Sequence, residues 1–390
     1  MTALKTLLFS LLAMPLIAQT APYKVTVFEG ETAGYRGYRI PALVMTPKGT
    51  LLAFCAARKE LGDWADIDIA LRRSTDGGKT WSPMRIIADR GTMTVDNPVP
   101  IVDRRTGAVH FLFQVNYAQL YYMRSDDDGL TFSAPVDITE AAHDFRRGWA
   151  SDKSKTQYGW NVVAPGPGHG IQLANGRLLS TIWMSPNYRH RPSATAIIYS
   201  DDGGKTWKAG ALIPSGKLVN PSEHVALELA DGRVMTNQRS ESEEHRRALA
   251  FSADGISDWT TPEFHEALFE PVCMASLIRV SAQPKQKRNR IMFANPDSRP
   301  GNADFSKENN MRSRDDLRLR LSYDEGKTWP VVKLLQEGGT GYSDMAVGPD
   351  GAMYALYEHV VPGGAQGSKH NIALARFTLE WLTEGKDKFE

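Results

Sequence analysis

The chain has 390 residues, of which 42% are hydrophobic and 23% charged, and its formal net charge is +1. This is globular composition, and it excludes a protein that gathers nucleic acid or acidic surfaces through a global positive field. Recognition of an anion has to come from a local cluster of cations.

Residues 1–20 carry Lys5 as their only charge, with an apolar run from Leu7 to Ala18 and a polar, small-residue exit at Gln19, Thr20 and Ala21. They read as a cleaved secretory leader, too short for a comfortable span, with cleavage between Ala18 and Ala21 and a secreted or periplasmic destination. No later stretch approaches the roughly 20 apolar residues of a membrane helix. No linker rich in Pro, Gly or Ser divides the rest, so residues 21–390 are expected to form one domain. Nothing calls for a second subunit, and a monomer is expected.

Along the chain, Tyr38-Arg39-Ile40-Pro41-Ala42 comes first, with Arg39 expected at a strand entrance. In the segment RKELGDWADIDIALRRS, Asp66 and Asp68 alternate with apolar residues inside a strand, while Asp63 precedes that strand beside Gly62 and is the carboxylate free to reach a ligand. Cys55 and Cys273 lie in apolar, strand-like runs and read as buried thiols; a disulfide between them is the less favoured reading. No His/Cys group has zinc-ligand spacing, and no metal or cofactor is expected. The basic stretch Lys285 to Arg290 reads as a solvated loop. His169 and His224 read as satisfied or exposed.

One octet recurs. STDGGKTW begins at Ser74, SDDDGLTF at Ser125, SDDGGKTW at Ser200 and SYDEGKTW at Ser322. A degenerate copy, SADGISDW, begins at Ser252 and lacks the Gly and Thr positions. The start-to-start spacings are 51, 75, 52 and 70 residues. The Ser and Asp can bond backbone groups of their own turn, the Gly supplies a positive φ, and the aromatic packs the turn on a sheet. The motif is therefore a structural staple with no catalytic atom. Between copies the chain reads as strands, with Asn-Gly and Asp-Gly hairpin turns at Asn175, Asp231 and Asp350 and no convincing amphipathic helix. The octets resemble the Asp-box repeats of β-propellers. At 50 to 75 residues per repeat they imply an all-β, six-bladed propeller.

One hairpin permits a geometric prediction. Glu223 lies eight residues before Asp231 and Arg239 eight after it. With the turn centred near Asp231, the two should face each other at one end of the ladder. That pairing alone also fits an ordinary cross-strand ion pair, just as Tyr342, in Gly341-Tyr342-Ser343-Asp344, also fits an interior tyrosine.

Taken together, the Arg-Ile-Pro motif, the octets, Arg314-Asp315-Asp316-Leu317 and Tyr342-Ser343-Asp344 resemble the sialidase (neuraminidase) family of glycoside hydrolases from Tyr38 to about Glu358. The resemblance implies an exo-sialidase acting on sialylated glycoproteins, glycolipids or oligosaccharides. It implies that Arg39, Arg239 and Arg314 grip the sugar carboxylate, with Arg312 a competitor for the third place. It further implies Tyr342 as nucleophile, Glu223 as its partner and Asp63 as acid/base. Arg58 and Asp96 would lie near the O4 and N-acetyl side, Glu358 would orient the first arginine, and Gly166 to Leu173 resembles a pocket-wall segment. No residue matches the aromatic lining of the N-acetyl pocket.

The chemistry suits these residue types. Arginine is permanently charged and can bind a carboxylate with two parallel bonds. A carboxylate nucleophile would approach a carbon that already bears one, a repulsion of about 4 kcal/mol at about 4 Å and an effective dielectric of about 20. A neutral phenol avoids it but needs a base beside it. Transfer or anhydro-product release at the same site, a non-catalytic glycan-binding propeller, and a glycosidase for neutral polysaccharide are the competing readings. The last has no use for three arginines.

Overall fold

The computed structural model describes residues 21–142, 162–186, 189–298 and 311–390; the expected leader lies outside them. Strand β1 (Tyr23–Phe28) comes first. Blade one follows with β2 (Gly37–Met45), β3 (Leu51–Arg58), β4 (Ile67–Ser74) and β5 (Arg85–Ala88). Blade two has β6 (Val95–Val102), β7 (Val109–Val115), β8 (Gln119–Ser125) and β9 (Val136–Asp137). Blade three has β10 (Val162–Pro165), β11 (Ile171–Gln172), β12 (Leu178–Ser185), β13 (Ala194–Ser200) and β14 (Lys208–Ile213). Blade four has β15 (His224–Glu228), β16 (Val234–Gln238), β17 (Arg246–Ser252) and β18 (Glu263–Phe269). Blade five has β19 (Ser276–Ser281), β20 (Arg290–Pro296), β21 (Asp315–Ser322) and β22 (Val331–Gly339). Blade six has β23 (Ser343–Val347), β24 (Met353–Pro362) and β25 (Ser368–Phe377), and β1 supplies its outermost strand.

The molecule is thus the expected six-bladed propeller, closed by its own first strand. Tyr23 pairs with Arg376 and Phe28 with Ile372. This closure explains why there are five octets for six blades. Each octet joins the third and fourth strands of a blade, and in blade six the fourth strand arrives from the other end of the chain.

The staple works as its residue types imply. Ser74 Oγ donates to Asp76 Oδ1 at 2.8 Å and accepts from Gly78 N–H at 2.9 Å, while Asp76 accepts from Thr80 N–H and Thr80 Oγ1. Gly78 has φ +83°, and a Cβ there would meet the Leu374 side chain of blade six at 2.5 Å. Gly129 likewise lies on Leu52 of blade one, so these turns weld a blade to its predecessor. The degenerate copy is functional as a staple. Gly255 and Ser257 take over the Gly and Thr roles one position early, with Gly255 N–H donating to Ser252 Oγ at 3.0 Å and Ser257 Oγ to Asp254 Oδ2 at 2.9 Å.

Apolar clusters fill the space between neighbouring blades; Leu52, Phe54, Phe111 and Phe113, for example, join blades one and two. Both cysteines are free and buried. The basic loop is solvated as expected except at Arg290, which is buried and pairs with Asp387 at 2.6 and 2.7 Å. A short C-terminal helix, Leu379–Thr383, capped by Thr378, buries Leu379 and Leu382. Near the propeller axis, Asp344 on β23 accepts from Leu43 N–H at 2.8 Å, His169 N–H at 2.9 Å, His169 Nδ1 at 2.7 Å and Ser276 Oγ at 3.0 Å. One carboxylate thereby ties blades one, three, five and six.

Candidate active site

A pocket of about 680 Å³, counting its open mouth, is lined by Arg39, Arg58, Asp63, Glu223, Arg239, Arg314 and Tyr342. These residues come from blades one, four, five and six, and the structure brings all seven together. Glu358 and Asp96 stand immediately behind them.

A recurring backbone device aims the pocket-facing residues. Ile40, Asn97 and Asn220 each precede a proline, each has a positive φ (55°, 59° and 48°), and each lines the pocket. At Ile40 a register shift between Arg39 and Ala42 interrupts the β2–β3 ladder. Arg39 therefore lies inside β2, turned by a bulge, and not at the strand entrance expected from sequence. A β-branched residue at positive φ is costly and persists only where surrounding groups over-determine it. Glu358 does so: Oε1 accepts from Ile40 N–H at 3.1 Å and from Arg39 Nε at 3.2 Å, and Oε2 accepts from Tyr342 N–H at 3.2 Å. The expected orienting glutamate thus fixes both an arginine and the tyrosine backbone.

At the centre, Tyr342 Oη lies 2.6 and 2.7 Å from the two oxygens of Glu223 and accepts from Arg239 Nη1 at 2.7 Å. Arg239 Nη1 also donates to Glu223. Arg239 N–H donates to Glu223 O at 3.1 Å, and His224 pairs with Gln238, so the hairpin register anticipated around Asp231 is the one observed. The guanidinium carbons of Arg39 and Arg314 stand 5.4 and 5.3 Å from the centre of the Tyr342 ring. Burial raises the phenol pKa well above its ordinary value, against the pull of Arg239 and Arg314. Burial also opposes the charge of Arg39, yet Glu358, Tyr342 and Asp63 hold its pKa above the usual range. Arg312 is exposed, whereas Arg314 lines the pocket and donates through Nη2 to Val272 O at 2.8 Å. Of the two, Arg314 is the one on the pocket wall.

Asp63 lies on the loop before β4. Its Oδ1 accepts from Arg58 Nη1 at 2.8 Å and is 3.4 Å from Arg39 Nη1. Partial burial raises its pKa, but Arg58 and Arg39 outweigh that and hold the carboxyl below its ordinary value. Asp66, expected inside the strand, falls on the loop just before β4 and faces Lys59 at 3.5 Å, while Asp68 accepts from Tyr35 Oη at 2.7 Å inside β4; neither lines the pocket. Asp96 is fully buried and bonds Arg58 Nη2 at 2.9 Å; it backs Arg58, and Asn97 takes the place on the wall that Asp96 was expected to occupy.

One further expectation changes: no residue of the Gly166 to Leu173 segment lines the pocket. His169 is bonded to Asp344 at the axis and His224 is buried with Nδ1 against Ser222 O, in line with their reading as residues without a role in the pocket. No aromatic lining was assigned from sequence; in the structure one side of the pocket is an aromatic wall of Tyr117, Trp183 and His190, with Trp64 stacked on His190 at 5.7 Å. Tyr117 and Trp183 sit 6.1 Å apart in a small cluster of their own. No short motif marks these aromatics; for Asn97 the readable signal was the Asn97-Pro98 dipeptide.

The fold and site define a BNR-repeat propeller. Residues 49–355 match the family model described as BNR repeat-like domain. A sialidase of Micromonospora viridifaciens is 31% identical over 377 residues, covering 90% of this chain and 52% of that protein. A sialidase of Bacteroides fragilis is 32% identical over 359 residues, covering 83% of this chain and 60% of that protein. The chain therefore spans only about half to three-fifths of these relatives' own length. Among solved structures, the Hadza microbial sialidase Hz136 superposes with a TM-score of 0.74 at 27% identity, over 92% of this chain and 69% of that one. The chain belongs to this BNR-repeat family, and the relatives it resembles are sialidases.

Proposed function

We propose that the protein is an exo-sialidase that hydrolyses terminal, α-ketosidically linked sialic acid from glycoconjugates with net retention of configuration. The observation that carries this reading is the Tyr342–Glu223–Arg239 constellation, a phenol within 2.7 Å of both a carboxylate and a guanidinium. Arg39, Arg239 and Arg314 would bind the sugar carboxylate. Tyr342 Oη would attack the anomeric carbon while Glu223 removes its proton, and Arg239 would favour the developing phenolate charge. Asp63 would protonate the departing glycosidic oxygen. It would then deprotonate the water that breaks the glycosyl–tyrosine bond, returning the phenol. The aromatic wall and the polar wall of Asn220, Ser222 and Glu241 would receive the remaining substituents of the sugar. Among the described residues no helix is long and apolar enough to cross a membrane, and the apolar leader would send the chain to the periplasm or the exterior.

The test is turnover of a fluorogenic sialoside with NMR of the first-formed product. Release of the α-anomer of free sialic acid is the expected outcome. A first product that is the β-anomer, an anhydro sugar or a transfer product would reject hydrolysis with retention. Absence of any product would favour a glycan-binding propeller.

A further inference from the structure

The three clamp arginines differ in what holds them. Arg39 has Glu358, and Arg239 has Glu223 and Tyr342, whereas Arg314 donates to a main-chain carbonyl, that of Val272 at 2.8 Å. Val272 lies in the crossover from β18 to β19 and has φ +59°, a region costly for a β-branched residue. Something must hold it there.

Two buried side chains do. Glu270 Oε1 accepts from Cys273 N–H at 2.8 Å, and Arg247 Nη1 donates to Cys273 O at 3.0 Å. The same Nη1 bonds Glu270 Oε2 at 2.6 Å. The remaining Arg247 bonds go to Asn237, from Nε to Oδ1 at 2.6 Å and from Nη2 to O at 2.8 Å. Asn237 is on β16, two residues before Arg239. Arg247 and Glu270 are 0% and 1% exposed, and neither lines the pocket.

Stability is a poor explanation for such a pair, because apolar residues of similar volume often replace a buried ion pair without loss. Geometry explains it better. In a planar trans peptide the carbonyl points opposite to the N–H of the next residue. Once Glu270 captures Cys273 N–H, the Val272 carbonyl must face the other way, toward Arg314. Resting on the clamp reading above, we infer that Arg247 and Glu270 are a positioning pair for the carboxylate clamp: they fix the Val272–Cys273 peptide that aims Arg314 and tie it to β16, the strand that leads into Arg239.

Two doubly substituted proteins test this, both without a buried net charge. Arg247→Met with Glu270→Gln keeps an acceptor for Cys273 N–H, whereas Arg247→Met with Glu270→Leu removes it. For a sialoside the Leu pair should raise KM roughly tenfold with a smaller change in kcat, and the Gln pair, which lacks only the Arg247 bonds, should raise it by clearly less. In an Arg314→Ala background the two pairs should become indistinguishable. Equal KM values for the pairs with Arg314 present, or a further rise with Arg314 absent, would overturn the assignment. So would loss of the folded state in the Leu pair alone, which would make the role one of stability. A wild type that turns over no sialoside rejects the functional reading instead, so the two failures are distinguishable.

Discussion

On the outer rim, Asp202 accepts from Thr206 N–H at 2.9 Å and from Thr206 Oγ1 at 2.6 Å, partners four residues away. In the pocket, Glu223 meets a phenol 119 residues away, and Arg39 meets a glutamate 319 residues away. Both regions are networks of carboxylates with donors. The rim network is local, repeated and complete in each turn. The pocket network exists only when different blades are assembled. Substitution should therefore cost stability on the rim and chemistry in the pocket.

The largest effect should follow Tyr342→Phe. Loss of the proposed nucleophilic oxygen should lower kcat on the order of 10³-fold, measured with a fluorogenic sialoside, at unchanged melting temperature. A loss under tenfold would break the contrast by making the phenol a packing residue. Arg239→Ala comes next. It removes a cation from the clamp and a donor from Tyr342, so KM should rise and kcat should fall, together about 10²-fold or more in kcat/KM. An unchanged KM would remove Arg239 from substrate binding.

The third prediction concerns pH. In the proposed role of general acid, Asp63 must be protonated, so activity is lost as pH rises through its pKa. Arg58 and Arg39 depress that pKa in the free protein. A bound sugar carboxylate would neutralise part of the Arg39 field and raise it. The alkaline limb of kcat should therefore lie at higher pH than that of kcat/KM, and coincident limbs would exclude the shared arginine. The smallest effect belongs to the rim. Although burial opposes it, hydrogen bonding from Thr206 and Ser200 holds Asp202 at about 2, and Asp127 and Asp254 are likewise held at about 2. Carboxylates depressed on folding stabilise above their unfolded pKa of about 4 and lose that contribution as pH falls toward 2. Asp202→Ala should lower stability by about 1 kcal/mol at neutral pH, by less at pH 2, and should leave kcat/KM intact. Calorimetric melts at the two pH values check it.

This contrast also explains what could be read from sequence. The octets were visible because their hydrogen bonds close within eight residues, and the Glu223–Arg239 pairing because a single turn determines it. The choice between Arg312 and Arg314 depended on the crossover carbonyl at Val272, and the aromatic wall on Tyr117, Trp183 and His190, which share no motif. The return of β1 to the last blade was equally hidden. Its residues read as any short strand, and its partner lies at the opposite end of the sequence.

That return makes the two ends of the chain into halves of one clasp. Detaching Tyr23–Phe28 would leave the ladder of β25 bare, open the disc into a crescent, and offer a ready edge to another chain. The blade so exposed is the one that carries Tyr342 and Glu358. Trimming a few residues at the start of the fold would therefore register as disturbed alignment at Tyr342 and a tendency to aggregate.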